Sequence, residues 1–211
     1  MTTEPIPLEV GGRTLVDATD HVRRYVGLDW SAGPPEVWAF AYYDATPTDD
    51  DDHVGAIDVV CAAALHPSLR RSDLEFFVRR RDDLTEWLAA VPPDQQLWDA
   101  DAALLAHLDA LTRFDPDVPL TLLTKVLHRK RPSFIPLLDR HVIDFYRQPG
   151  DSRQVLDAWP QVVRRIRDDL ATPEQRLLIA VAIPSVHDHD GNPIPISLLR
   201  YIDIAIWMQS R

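Results

Sequence analysis

The side chains best suited to chemistry lie between positions 125 and 141. Lys125, His128, Arg129, Lys130, Arg131, Arg140 and His141 put seven basic groups within 17 positions of a chain whose formal charge is −11. Guanidinium forks match the paired oxygens of phosphate or carboxylate, so the cluster suits an anion. The chain's own acids, such as the aspartate run at 49–52, suit those donors equally well, and the residue types leave both uses open. Asp139 is the other candidate. An Asp that opens a helix accepts amide hydrogens from the next turn, and the amide dipoles favour its charged form. That charge either caps the helix and nothing more, or stabilises an oxocarbenium-like sugar cation and orients an attacking water.

These groups need a helix, a link and a second helix to position them. From Leu120, at 100° per residue, Leu122, Leu123, Val126 and Leu127 share one half of a helix. Thr121, Thr124, Lys125, His128 and Arg129 share the other half. Arg131 precedes Pro132, which disfavours the helical region, so the helix is predicted to end near Arg129. An extended link bracketed by Pro132 and Pro136 follows. Asp139 then opens a helix whose buried face is Val142, Ile143, Phe145 and Tyr146.

The motif Lys125-Val-Leu-His-Arg-Lys-Arg-Pro-x-x-Ile-Pro-x-x-Asp139 is similar to the central motif of a family of uncharacterised bacterial proteins. More distantly, Asp139-Arg140-His141-Val142 resembles the helix-hairpin-helix superfamily of base-excision DNA glycosylases. There a proline-containing link leads into Asp-x-His-Val at a helix start. This second resemblance implies a catalytic role for Asp139, a hydrolysed N-glycosidic bond, and nucleic acid or a nucleotide-like small molecule as partner. The chain departs from that family at the hairpin. The segment Asp115-Pro-Asp-Val-Pro-Leu120 has no glycine where the family carries a Gly-hydrophobic-Gly turn. The family's lysine nucleophile also sits further upstream than Lys125.

Other clusters read more plainly. His187-Asp-His-Asp-Gly191 puts imidazoles and carboxylates close together, but no third distant ligand accompanies them. A solvated turn with Gly191 at positive φ is predicted, with no metal. The aspartates at 49–52 lack the spaced ligands of a calcium loop. Asp203, inside an apolar C-terminal helix, needs a partner or a cavity, because an unpaired buried charge is costly; the alternative is an exposed polar stripe. Asp44 follows Tyr42 and Tyr43 and is noted for the same reason. Cys61 stands in an apolar run and reads as a buried thiol.

At 211 residues, 45% hydrophobic and 26% charged, the chain predicts one globular domain with a full core. Its negative charge is the wrong sign for coating nucleic acid by charge alone. One cysteine excludes an internal disulfide and a thiolate-rich metal site. The first ten residues do not read as a secretory signal, and no apolar run is long enough to span a bilayer. A cytoplasmic protein off the membrane is expected. The GxGxxG and GxxxxGK[ST] patterns are absent, and no cofactor is expected.

The predicted fold is mostly α, a multi-helix domain over 1–211, for which the second resemblance implies a helix-hairpin-helix glycosylase-like arrangement. Residues 1–14 read as a loose arm and 46–54 as an acidic loop. The stretch 36–44 offers at most one short strand, or a helical turn. Inward faces are expected at Ile57, Val60, Cys61 and Ala64; at Leu74, Phe77 and Val78, after a Ser72 cap; at Leu84, Trp87 and Leu88; and at Leu104, Leu108 and Leu111. The helix over 154–170 buries Val155, Trp159, Val162, Val163 and Ile166. Helices 174–183 and 198–208 are apolar on most sides and are predicted to be central. Two functions follow: an N-glycosidic hydrolase acting on a nucleobase- or phosphate-bearing substrate, or a non-catalytic helical binding protein on the same scaffold.

Overall fold

Of the stretch read as a loose arm, residues 1–6 lie outside the described residues and the rest is a hairpin. In the computed structural model, which describes residues 7–28, 40–48, 50–65, 68–114, 118–188 and 190–210, strand β1 (Leu8–Val10) pairs antiparallel with β2 (Arg13–Leu15), Leu8 opposite Leu15. Gly11 and Gly12 both take positive φ, 59° and 70°, the backbone that a two-residue hairpin turn requires. A side chain at Gly11 would strike the Tyr146 ring at 3.1 Å, and its amide donates to Asp169 Oδ2 at 2.7 Å. Leu8, Val10 and Leu15 are buried, so the hairpin is docked.

Helices carry the rest of the described chain. They are α1 (Ala18–Tyr25), α2 (Phe40–Tyr43), α3 (Ala56–Ala64), α4 (Arg71–Arg79), α5 (Arg81–Ala89), α6 (Ala102–Asp109), α7 (Leu120–His128), α8 (Arg140–Tyr146), α9 (Val155–Asp169), α10 (Pro173–Ala182) and α11 (Leu198–Gln209). Short 3₁₀ turns flank α6 at Leu97–Asp99 and Ala110–Arg113. Of the stretch read as a possible strand, residues 40–43 form a helical turn. Its first part, 36–39, the connector at 30–35, Asp49 and His189 lie outside the described residues. Helix α11 is the centre: it packs on α1, α8, α10 and β2. Among the described residues no helix is long and apolar enough to cross a membrane.

Three predicted faces turn out rotated or exposed. In α3 the buried set is Asp58, Val59, Cys61 and Ala62, while Val60 is 62% exposed. In α4 Asp73, Phe76 and Phe77 face in, and Leu74 and Val78 face out. The reason is the same in both. A carboxylate at the third helical position accepts the cap residue's amide, Asp58 from Gly55 at 2.8 Å and Asp73 from Arg70 at 2.7 Å. Both carboxylates are then held inside by cationic partners, which turns the helix away from its apolar stripe. The expected Ser72 cap is replaced by that Arg70–Asp73 pairing.

Helix α10 is the third correction. Only Ile179 is buried, and Leu177 and Val181 are 64% and 68% exposed, so this helix lies on the surface. Helix α11, apolar to a similar degree, occupies the centre instead. The expected buried faces of α5 and α9 are found, save that Val155 is only half-buried.

Candidate functional site

Helix α7, the link after it and the cap of α8 form the framework of the site; the link, expected to be extended, first turns, the Phe134 and Ile135 amides donating to the Arg131 carbonyl. The helix stops at Arg129, and Asp139 Oδ1 accepts the Val142 amide at 3.0 Å, so Asp139 is the N-cap of α8. Its carboxylate is half-buried. Among the described residues Oδ2 has no hydrogen-bond partner. One oxygen holds the backbone and the other is left over.

The polar half of α7 does not face water. Thr124, Lys125 and His128 are all buried. His128 Nδ1 lies 2.6 Å from the Ile135 carbonyl, an acceptor, so that nitrogen carries the proton. The ring stacks on Tyr43 at 6.5 Å, and burial pushes the imidazole down to about 3. His128 is therefore a neutral structural donor that ties the link back to its helix.

Arg129, Lys130 and Arg131 turn toward the protein's own acids and carbonyls. Asp58, fully buried, receives Arg129 Nε at 3.1 Å on Oδ1 and Lys130 Nζ at 2.6 Å on Oδ2. Arg129 also donates to the carbonyls of Tyr43, Thr46 and Pro47, and Lys130 to Thr48 and the Asp50 carbonyl. Arg131 donates to the carbonyls of Val91, Asp51, Lys130 and Leu88 and to the Asp52 carboxylate at 3.0 Å. These three cations pin the acidic loop and the ends of α2 and α5 to the central motif. Arg140 and His141 are exposed, Arg140 reaching Asp144 at 3.5 Å.

Lys125 is a different kind of cation. Its Nζ donates to the Leu65 carbonyl at 2.8 Å and interacts electrostatically with both Asp139 and Asp203. Burial pushes its ammonium below the ordinary value against the pull of those carboxyls. Asp203, marked in the sequence as needing a partner or a cavity, is buried and bonded to Arg200 one turn earlier on α11. Arg200 lies between the rings of Tyr25 and Tyr43, 5.2 Å from each centroid. It also forks onto Asp44, Nε to Oδ1 and Nη2 to Oδ2, both at 2.7 Å, and donates to the Tyr25 hydroxyl at 2.6 Å. Burial pushes Asp203 up to about 7; Arg200 and Lys125 pull it down and Asp139 pushes it further up.

The site therefore joins Asp44, Arg200 and Asp203 in direct contact and couples Lys125 and Asp139 to them electrostatically, drawing on four elements. A carboxylate with an unused oxygen can stabilise a developing positive charge or orient a water. Arg200 was not among the candidates. The signal was present, since an arginine three residues before an aspartate inside an apolar helix needs the same explanation as the aspartate. Asp58 carried the same signal within the apolar run of α3. Asp190 and Gly191 form a turn: Gly191 takes φ 84°, and Asp188 accepts from Asn192 and Asp190. Among the described residues no cluster of acids, histidines and cysteines is arranged to hold a metal. Cys61 is buried with a free thiol.

No curated protein and no solved structure matches this chain. A family model does match, over residues 18–210, which takes in every element from α1 to α11. The chain belongs to DUF6308, a family of unknown function.

Proposed function

We propose that this protein is an N-glycosidic hydrolase acting in the cytoplasm on a nucleobase-bearing substrate, with Asp139 as the anion that faces the developing sugar cation. The observation that carries the reading is the divided use of the Asp139 carboxylate. Only Oδ1 holds the backbone, Oδ2 is left over, and the buried Lys125 ammonium acts on that carboxyl electrostatically. The substrate's anionic group falls to the exposed Arg140 and His141, because the donors of Lys125, His128, Arg129, Lys130 and Arg131 are engaged within the protein. The test is base release from damaged duplexes and free nucleosides. The parent should release base, and Asp139→Asn should keep its fold and lose most of that activity. A broad screen without release, or an Asn variant as active as the parent, ends the reading.

A second reading, a non-catalytic helical binding protein, draws support from Arg129, Lys130 and Arg131. Their internal pairing gives the most distinctive part of the motif a structural purpose that needs no substrate. Under that reading ligands bind, but no bond is broken and Asp139→Asn leaves affinity unchanged.

A further inference from the structure

The rotation of α3 and α4 leaves apolar side chains in water. With Asp58 and Asp73 on the inward faces, Val60, Leu74 and Val78 are turned out, Val78 to 79% exposure. They border a hollow of about 430 Å³ floored by the buried Val54, Val59 and Phe77. Arg81 lines the same hollow, and among the described residues its guanidinium has no ion-pair or hydrogen-bond partner. An apolar concavity with a free cation at its edge is the form of an interaction surface.

The surface helix α10 carries the converse shape. Glu174, Leu177, Leu178 and Val181 follow the i, i+3, i+4, i+7 spacing that puts four side chains on one helix face, and all four are exposed. That spacing is the one by which an amphipathic helix enters an apolar groove. Arg176, the cation of this helix, turns back into its own protein, over the Trp98 ring and onto the carbonyls of Leu170 and Ala171. The ridge therefore presents three apolar side chains and one acid. Among the described residues the Glu174 carboxylate has no partner either.

We propose that α10 of one copy docks into the α3–α4 hollow of the next, Glu174 meeting Arg81, so that the protein self-associates head to tail. The occupant follows from the match of shape and charge: ridge to hollow, acid to arginine. Like surfaces fit less well, since two hollows face to face enclose a void and two ridges have nothing to enter. A net charge of −11 otherwise holds copies apart, and a basic rim that receives an acidic ridge offsets this at the point of contact. Because the two surfaces differ, each contact leaves one hollow and one ridge unused. Copies therefore add into a ring or a chain rather than stop at a two-fold dimer. This surface is separate from Asp139 and stands whether or not that residue is catalytic.

Sedimentation velocity of the full chain tests this, at about 0.15 M salt, where exposed charges more than about 8 Å apart are screened. The parent's sedimentation coefficient should rise with concentration. Val78→Asp spoils the hollow and Val181→Asp spoils the ridge. Both positions are exposed, so each variant should keep the parent's circular dichroism and thermal midpoint. Each alone should stay monomeric where the parent associates. An equimolar mixture of the two should give a heterodimer and nothing larger, because one intact ridge and one intact hollow remain to meet. Arg81→Glu should weaken the parent's association a few-fold, and adding Glu174→Arg to it should restore the loss. A parent that is monomeric at every concentration, a single-face variant that associates as the parent does, or a mixture without heterodimer overturns the proposal. So does a loss at Arg81→Glu that Glu174→Arg fails to restore.

Discussion

Arg200 and Asp44, 156 residues apart, meet in a two-pronged ion pair with both contacts at 2.7 Å and both side chains buried. The pair fastens the last helix to the end of α2, and the same guanidinium holds Asp203 and the Tyr25 hydroxyl. Its removal strands two carboxyls in a dry setting. Arg200→Met should cost about 3–5 kcal/mol, the usual penalty for orphaning a buried charge. Urea denaturation of Arg200→Met alongside the double variant Arg200→Met, Asp44→Leu checks this. The double variant should recover part of the loss, and a single-variant loss under about 1 kcal/mol would mean that the pair is not formed.

Arg131 should tolerate lysine poorly. Its guanidinium serves four carbonyls and the Asp52 carboxylate, whereas an ammonium at one point cannot reach groups spread from α5 to the acidic loop. We expect Arg131→Lys to lose about 2–4 kcal/mol, and Arg140→Lys on the surface to stay within about 0.5 kcal/mol. Similar thermal midpoints for these two variants would contradict the contacts.

Stability should respond to pH through two buried groups acting in opposite directions. Asp203 is raised from its ordinary 3.8 to about 7, so the folded state keeps a proton that the unfolded chain has released. Its contribution is full below 3.8 and is lost as pH climbs through 7. His128 is lowered from 6.5 to about 3, so its contribution is present above 6.5 and is lost as pH falls toward 3. Between about pH 4 and 6.5 the two slopes offset. Asp203→Asn removes one of them, so the variant should gain on the parent steadily between about pH 4 and 7. Urea midpoints measured across that range decide the matter, and parallel curves for the two proteins would refute it.

At Asp139 the cap and the charge separate cleanly. Asn keeps an acceptor for the Val142 amide, and Ala removes it. Asp139→Asn should be nearly as stable as the parent, and Asp139→Ala should lose about 0.5–2 kcal/mol. Thermal melts of the two variants check the cap, and equal stability of Ala and Asn would mean that the cap bond contributes nothing.

What the sequence determined by itself was local. The stop of α7 at Arg129, the Asp139 cap, the buried faces of α5 and (half-buried Phe145 apart) α8, the Ser197 cap of α11 and the glycine turn near 191 each depend on residues within a turn or two. Steric exclusion before proline, amide capping and helical periodicity act over that range, so the chain carries them on its face. The one-residue rotation of α3 and α4 was less legible, because apolar spacing says nothing of a carboxylate paired with a cation, 71 residues away for Asp58 and at the helix cap for Asp73.

Only the tertiary structure decided where the charges go. The same basic run serves an external phosphate or an internal clamp, and it is the arrival of Asp58, the carbonyls of Asp50 and Asp51 and the Asp52 carboxylate that fills its donors. Likewise α10 and α11 are both rich in apolar residues, yet one lies on the surface and the other in the core. Periodicity reports that a face would gain from burial, but which of two apolar helices is covered depends on the partners that reach it. Helix α11 is chosen because Arg200 gathers α1 and the end of α2 around it, and those contacts are between residues far apart in sequence.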